Sequence, residues 1–240
     1  MQVIQKTAEI IRLLAKYPNK KCWKATEVSR ELAMNISTTH RILQSMKNNG
    51  FINQDSKNKQ YSLGINFIYF AEIVREMNLP GLIAYPSLKK LYDNTEETVF
   101  MTVKEGDACT VVERINSVHE LRIVKQIGDT RLLGEGPCGK TILAYLPDEI
   151  KERISGYTKN KEACERDLVN IQKNGYHKEF IEEYQSTVFS APLFSREGNV
   201  VASISVIIPQ CRMSEEVEEK TAGTILEISR DFIEKEESFS

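Results

Sequence analysis

The sequence predicts an α+β fold in two parts: a small helical part that ends in a β-hairpin, and an antiparallel sheet with helices packed on it. Three observations lead to this prediction. The 240 residues are 41% hydrophobic and 28% charged, which is enough for one or two cores without disulfide or metal cross-links. Residues 1–62 carry eleven Lys and Arg against four Asp and Glu, whereas the remainder is acidic. Apolar residues recur at helical spacing early in the chain and in strand-length runs later.

Composition excludes several classes of protein. The longest apolar stretches, such as 200–209, have the length of a strand, and the first residues show no signal region. The five cysteines are scattered and odd in number, which is typical of free, reduced cysteines rather than of a disulfide framework or a zinc finger. We therefore expect a cytoplasmic protein with no membrane span, no metal and no cofactor.

The first quarter of the chain is predicted to hold three helices, a hairpin and a further helix. Ser37 is expected to N-cap the third helix, and Gly50 follows its last turn. Pro80-Gly81 is expected to end the fourth helix. The predicted elements are helices 3–15, 26–33 and 37–49, a hairpin around the polar turn 55–59, and a helix 65–77.

This order of elements is typical of a winged helix-turn-helix, in which the second helix of the motif enters the major groove of DNA. Arg and Gln can read guanine and adenine, while Ser and Thr at a helix start suit phosphate oxygens. The basic charge and the hairpin favour DNA binding over an exposed polar helix in a small bundle. The DNA-binding residues that we predict are Ser37, Thr38, His40, Arg41, Gln44, Lys47, Lys57 and Lys59.

The C-terminal part is predicted to be an antiparallel sheet with flanking helices. Its strand-length runs are separated by turn residues, and we find no internal repeat. The predicted elements are helices 82–92, 140–146, 148–154, 162–173 and 214–235, and strands 98–103, 108–115, 121–127, 187–194 and 200–208.

A glycine-rich loop, 134–139, leads into the helix expected to begin at Lys140. Free N–H groups at a helix start favour a carboxylate. Serines on the late strands could add hydroxyl groups and leave room for a ligand. The alternative is that the glycines only form a tight turn and the serines face solvent.

Seven short stretches, each weak by itself, become specific through their order and spacing. They are STTHRIL at 37–43, NGFI at 49–52, YSLG at 61–64, GKTILA at 139–144, NGY at 174–176, SAPLF at 190–194 and VVASISV at 200–206. With these stretches the chain resembles, over nearly its whole length, the IclR (isocitrate lyase regulator) family of bacterial transcription factors.

The resemblance implies a winged helix over 1–64, a linker helix over 65–78 and a GAF-like effector-binding domain over 79–240. It also implies a homodimer or a tetramer on a palindromic DNA operator, with a small organic acid or aromatic catabolite as effector. Under this resemblance we favour a ligand pocket at the glycine loop, and the family pattern adds Leu132 and Val188. The predicted effector-binding residues are Leu132, Gly134, Gly136, Gly139, Val188, Ser190, Ser203 and Ser205.

The resulting hypothesis is a ligand-responsive transcriptional regulator, with repression as the favoured mode. An enzyme would need a nucleophile and a base near 134–139, which the sequence lacks, so we predict no catalytic activity. The G-x-G-x-x-G spacing of Gly134, Gly136 and Gly139 also lacks the βαβ context of a dinucleotide site. A winged helix that binds a protein, without a small-molecule effector, stays open as the alternative. Cys138 could be a redox thiol, although an inert buried thiol is favoured.

Overall fold

The structure, a computed structural model, describes residues 2–16, 22–77 and 79–236. The chain forms two compact units, Met1–Met77 and Asn78–Ser240, called here the N-terminal and C-terminal units. Helices pack on an antiparallel sheet in the C-terminal unit, which confirms the predicted α+β class.

The N-terminal unit follows the predicted order. Its apolar core gathers residues from every helix of the motif and from both hairpin strands, including Ile10, Val28, Leu43 and Ile52. Trp23 pairs with Tyr61 through two backbone hydrogen bonds of 2.7 and 2.8 Å, which fastens the hairpin to the helices. The elements are α1 (Gln2–Lys16), α2 (Ala25–Glu31), α3 (Ile36–Asn48), β1 (Ile52–Gln54), β2 (Tyr61–Leu63) and α4 (Asn66–Met77).

Helix α3 ends at the predicted glycine. Gly50 has a φ of +74°, a conformation that residues with a Cβ rarely adopt. Its N–H donates to Lys47 O, and the N–H of Phe51 donates to Met46 O, which together form a Schellman cap. This cap turns the chain directly from α3 into the hairpin.

The sheet of the C-terminal unit has six antiparallel strands in the order β5-β4-β3-β8-β7-β6. Strands β5 and β6 were missed by the sequence prediction. Strand β5 has only three residues, all exposed, and β6 combines the exposed Lys178, the half-buried Glu179 and the 45% exposed Phe180, a pattern with weak apolar alternation. The strands are β3 (Thr98–Glu105), β4 (Ala108–Ile115), β5 (Thr130–Leu132), β6 (His177–Ile181), β7 (Ser186–Phe194) and β8 (Val200–Pro209).

Helices cover both faces of this sheet. Val99 and Met101 pack with α5 and α9 on one face, whereas Phe100 belongs to a separate cluster with Val188 and Ile207 on the other. Alternate residues of a strand point to opposite faces, so one strand serves two cores. The helices are α5 (Leu79–Thr95), α6 (Pro137–Leu143), α7 (Asp148–Ser155), α8 (Lys161–Asn174) and α9 (Glu215–Glu236).

Three sequence predictions are corrected. Pro80-Gly81 does not separate two elements, since both residues lie in the first turn of α5, where proline is tolerated. Helix α6 begins at Pro137 rather than at Lys140. The stretch 121–127 is irregular rather than a strand, because arginine side chains take up its backbone carbonyls: Arg212 donates to Leu121 O at 2.9 Å, and Arg114 donates to Lys125 O.

Candidate nucleic-acid interface and ligand cavity

Helix α3 carries its polar residues on one exposed face and its apolar residues in the core. Thr39, Ile42, Leu43 and Met46 are buried. The predicted DNA-binding positions of this helix are exposed, with Thr38 half-buried: Ser37, Thr38, His40, Arg41, Gln44 and Lys47. The packing of α3 therefore leaves these six side chains together on the outside of the N-terminal unit.

The start of α3 differs from the prediction in one detail. Asn35, not Ser37, is the N-cap: its Oδ1 accepts hydrogen bonds from Ser37 N at 2.9 Å and from Ser37 Oγ at 2.7 Å. Both donors of Ser37 are thus used inside the helix cap. Thr38 makes no side-chain hydrogen bond within the described part of the chain, so its hydroxyl is the better placed of the two for a phosphate oxygen.

The hairpin tip is a tight turn that presents Lys57 and Lys59. Asp55 Oδ1 accepts from the backbone N–H groups of Asn58 and Lys57, at 2.9 and 2.8 Å, and these hydrogen bonds hold the pKa of Asp55 below its usual value. Lys59 has a φ of +57°. Lys47 of α3 donates to Gln54 Oε1 at 3.1 Å, which ties the helix to the hairpin.

The C-terminal unit contains a cavity of about 410 Å³ on the face of the sheet that α6 covers. Its inner wall is apolar and buried, formed by Phe100, Val111, Val188 and Ile207. Irregular residues 123–125 and the turn before α6 close its sides. The size and the apolar wall are those of a small-molecule site.

The structure places three of the eight predicted effector-binding residues in the cavity wall: Gly136, Gly139 and Val188. Leu132 lies outside the wall and is 45% exposed. Gly134 instead faces the end of α7 and the turn after it, since a Cβ there would lie 3.3 Å from Ile154 Cγ2 and 2.3 Å from Thr158 Cγ2. The prediction that Leu132 and Gly134 line the cavity is therefore wrong.

The three predicted serines are buried behind the wall rather than exposed in it. Ser190 and Ser205 are paired across β7 and β8 in line with Phe100 of β3, so they lie on the cavity face of the sheet. Helix α6 covers them there: Ser205 Oγ lies 3.3 Å from Cys138 Sγ and 3.0 Å from Ser190 Oγ. Ser203 is paired with Thr102 through a 2.6 Å contact between hydroxyls, and only Thr102 reaches the cavity.

The expectation that a helix start at Lys140 offers free N–H groups to a carboxylate is also wrong. Lys140 lies inside α6, and its N–H donates to Gly136 O. Its ammonium group forms ion pairs with Asp167 at 2.7 Å and Glu179 at 3.0 Å. Burial favours the neutral amine, but the hydrogen bond to Asp167 and the charge of Glu179 outweigh it and raise the pKa of Lys140.

The same cluster is the one group of potential metal ligands within the described residues. Asp167, His177 and Glu179 each offer a ligand atom, and these atoms lie within 4.8 Å of one another. The ammonium of Lys140 contacts both carboxylates and so already supplies a cation to them. The arrangement is that of a partly buried ion-pair network between α6, α8 and β6.

Burial makes the cavity thiols poor nucleophiles. Burial raises the pKa of Cys109 to about 12, and it raises that of Cys138 against the opposing influences of Ser205 and Lys125. Protonated thiols react slowly with oxidants. These pKa directions favour the inert interpretation of Cys138.

Sequence reasoning missed the charged and aromatic residues of the cavity. Lys125, Arg131, Tyr184 and Phe100 all line it, yet they come from four separate parts of the chain. A single basic residue in a loop carries no pattern that predicts a cavity, so no signal in the sequence pointed to them.

Comparison with family models identifies both units. A model described as the IclR helix-turn-helix domain matches residues 3–56, and one described as the bacterial transcriptional regulator IclR C-terminal matches residues 72–233. The chain is 28% identical to the HTH-type transcriptional regulator KipR of Bacillus subtilis (strain 168), with 91% of this chain and 93% of that protein covered. It is 27% identical to the HTH-type transcriptional regulator KdgR of Escherichia coli (strain K12), with 80% and 77% covered.

Solved structures share the fold. The crystal structure of the Thermotoga maritima IclR has a TM-score of 0.79 at 22% identity, with 98% of this chain and 99% of that chain covered. An IclR homologue from Microbacterium hydrocarbonoxydans, complexed with 4-hydroxybenzoate, has a TM-score of 0.76 at 19% identity, with 96% and 98% covered.

These relatives are named as transcriptional regulators rather than as enzymes, which agrees with the prediction from the sequence. Among the described residues, no helix is both long and apolar enough to span a membrane. The two family models together match most of the chain, including both the helix-turn-helix and the sheet with the cavity. The chain belongs to the IclR family of DNA-binding bacterial transcriptional regulators.

Proposed function

We propose that this regulator is a repressor that binds a palindromic operator through α3 and the hairpin and releases it, or binds it differently, when a small organic acid or aromatic catabolite occupies the cavity. The observation that carries this proposal is the pairing of an exposed polar recognition face with a separate, largely apolar cavity. We assign DNA binding to residues 1–64, the linker to 65–78 and effector binding to 79–240. A protein with DNA as its partner is expected in the cytoplasm.

The roles within the DNA-binding set follow from their chemistry. Arg41 and Gln44 have the side chains that read base edges, and both are exposed on α3. Thr38, Lys57 and Lys59 are suited to phosphate oxygens, which position the protein without reading sequence. His40 and Lys47 lie on the same exposed face, and Ser37 contributes mainly by shaping the helix start.

An exposed apolar face supports dimerisation. Ile68 and Tyr69 of α4 are 71% and 63% exposed, and Val74 is 56% exposed. A helix with this many exposed apolar side chains is typical of a protein interface. A two-fold dimer would present two copies of α3 to two half-sites, which is why we expect the operator to be palindromic.

Effector control requires that the ligand bind more tightly to one of two DNA-binding states. By thermodynamic linkage, an effector that weakens operator binding is itself bound less tightly by the operator complex. The complex of a structural neighbour with 4-hydroxybenzoate supports a small carboxylate as the class of effector.

The test is a selection of genomic DNA fragments by the full-length protein at physiological salt, read by sequencing. We expect recovery of one or a few sites with two-fold symmetry, and loss of that enrichment for Arg41→Ala but not for Arg166→Ala, an exposed arginine of α8. Recovery of random fragments by the wild-type chain would contradict a specific regulator. It would favour the alternative of a protein-binding winged helix.

A further inference from the structure

Two cationic side chains face the cavity without an anionic partner. Within the part of the chain that the structure describes, neither Lys125 nor Arg131 forms an ion pair with a carboxylate, although both line the cavity. Lys140 of α6, which does not line the cavity, contrasts with them because two carboxylates hold it. Lys125 is half-buried beside the apolar wall, whereas Arg131 is exposed. A half-buried cation without a partner gains most from an anion that a ligand supplies.

One aromatic residue positions both cations. Arg131 Nη2 donates to the Tyr184 hydroxyl at 3.1 Å, and Lys125 Nζ lies 5.2 Å from the centre of the Tyr184 ring. Lys125 Nζ also lies 5.8 Å from the centre of the Phe100 ring. These contacts hold the two charges at the same end of the cavity, next to two aromatic rings.

The backbone supports this placement. The irregular segment that carries Lys125 is fixed at that residue, since Arg114 donates to Lys125 O. Arg131 lies in β5, which is paired with β4 opposite Cys109. Both cations therefore project from fixed points of the fold, which limits the entropy lost when they bind a ligand.

The acidic residues of the cavity do not neutralise the pair. Asp129 Oδ2 accepts a hydrogen bond from Gln126 N at 2.9 Å, and Glu135 is exposed. Neither forms an ion pair with Lys125 or Arg131 within the described residues, so the cationic end of the cavity stays available to a ligand.

We propose that Lys125 and Arg131, held by Tyr184, bind the carboxylate of an effector whose apolar, preferably aromatic, body packs on Phe100 and Val188. This inference rests on the proposed function of the cavity as the effector site and adds which residues select the anion. The carboxylate is bound from the Tyr184 side of the cavity and not by the first turn of α6.

The test is isothermal titration calorimetry of the full-length chain with three aromatic acids, benzoate, 4-hydroxybenzoate and phenylacetate, and with the three corresponding neutral amides. We expect at least one acid to bind, and its amide to bind roughly tenfold or more weakly, because a charge-assisted hydrogen bond is lost. Lys125→Met and Arg131→Met should each weaken the acid by roughly tenfold or more and leave the affinity for the amide unchanged. Arg131→Lys should give an intermediate loss, since it keeps the charge but not the planar fork.

Lys104→Met is the matched control, because Lys104 is an exposed lysine of β3 outside the cavity wall. Circular dichroism melting verifies that each variant is folded. Unchanged acid affinity in both Met variants, equal binding of acid and amide, or no binding of any of the three acids would overturn the assignment of Lys125 and Arg131.

A separate variant tests the cavity itself. Val188→Phe fills part of the wall, and Thr130→Trp obstructs the exposed rim if the first variant is unstable. Loss of acid binding in these variants, together with full binding in Lys125→Met and Arg131→Met, would keep the cavity as effector site and reject the cationic pair. Full binding in the blocked variants would reject the cavity.

Discussion

The two candidate binding regions of this protein differ in how the chain builds them. The predicted DNA-binding face draws its residues from one continuous stretch, 37–59, which forms a helix and the adjoining hairpin. The cavity draws its wall from residues as far apart as Phe100 and Ile207, brought together by the sheet. A surface made from local structure can be recognised from periodicity, whereas a cavity depends on the register of distant strands.

The regions also handle charge differently. The recognition face displays basic side chains to solvent, where a polyanion can reach all of them. The C-terminal unit pairs the partly buried cation Lys140 with Asp167 and Glu179 and leaves Lys125 and Arg131 facing the cavity. In the N-terminal unit the basic side chains together can attract a polyanion, whereas in the C-terminal unit each cation is positioned for one particular contact.

The largest effect is expected from a core substitution that breaks one unit and spares the other. Leu43→Ala removes a fully buried side chain of α3 and should destabilise the N-terminal unit by about 2–5 kcal/mol. Trp23 is the single tryptophan of the chain and is buried in that unit, so its fluorescence during urea unfolding reports on the N-terminal unit alone. DNA binding should fall while ligand binding is retained.

Ile36→Ala is the control for this prediction, because Ile36 is 41% exposed on the same helix. A simultaneous loss of ligand affinity in Leu43→Ala would show that the two units do not fold independently, and the comparison between them would then fail.

The next largest effect concerns base recognition. Arg41→Ala should weaken operator binding by about 1–3 kcal/mol and relax the preference at one base position, since an arginine can bind guanine through two hydrogen bonds. Binding to a library of single-base operator variants, measured by fluorescence anisotropy, provides the test. Weaker binding with an unchanged base preference would make Arg41 a phosphate contact, and unchanged binding would remove it from the interface.

The pH dependence of stability should separate the partly buried ion pairs of Lys140, Asp167 and Glu179 from the exposed charges. Burial alone raises the pKa of Glu179, but the hydrogen bond from His177 and the charge of Lys140 outweigh it and hold the pKa below its usual 4.5. The ionised carboxylate therefore stabilises the fold above pH 4.5, and this contribution is lost as the pH falls through the lower folded-state pKa. One such group changes stability by at most about 1.4 kcal/mol per pH unit.

Glu179→Gln should remove this acid-dependent loss, measured by urea unfolding with far-ultraviolet circular dichroism between about pH 3 and pH 6. Glu219→Gln, on the exposed side of α9, is the matched control and should retain the wild-type profile. An identical profile in Glu179→Gln and the wild type would show that the network contributes nothing to acid stability.

The smallest effect is expected at the hairpin tip. Lys59→Asn removes one charge while the asparagine tolerates the φ of +57° at this position. DNA affinity should fall for all sequences, and the slope of log affinity against log salt should decrease by about one. Lys104→Asn serves as the control, and an unaltered slope in Lys59→Asn would place Lys59 outside the phosphate contacts.

Local chemistry explains which elements the sequence predicted well. Helices α1, α3 and α8 begin and end within two residues of the prediction, because apolar spacing defines all three and Gly50 and Gly175 follow α3 and α8. Strand β5 was missed because it is short and exposed, and β6 because its apolar alternation is weak. The stretch 121–127 was wrongly taken for a strand because apolar alternation alone does not show whether a partner strand is present. In the structure, Arg212 donates to Leu121 O and Arg114 to Lys125 O, so two of its carbonyls bond to side chains rather than to a strand.

The candidate site residues also divide into those that local sequence predicts and those that depend on packing. The eight predicted DNA-binding residues follow from one helix and one turn, and the structure leaves all of them at least partly exposed. Of the effector set, Val188 and two glycines reach the cavity, while Ser190 and Ser205 lie on the correct face of the sheet beneath α6. Strand alternation predicts the face of a sheet but cannot predict which helix covers it.

The sequence by itself determined the helix-turn-helix with its hairpin, the basic recognition face and the alternation of the late strands, because these follow from interactions between residues close along the chain. Tertiary structure alone decided that α6 buries the serines, that Lys140 pairs with Asp167 and Glu179, and that Lys125 and Arg131 meet at Tyr184. Those contacts join residues that are distant in sequence, and only the packing of the sheet and its helices sets their distances.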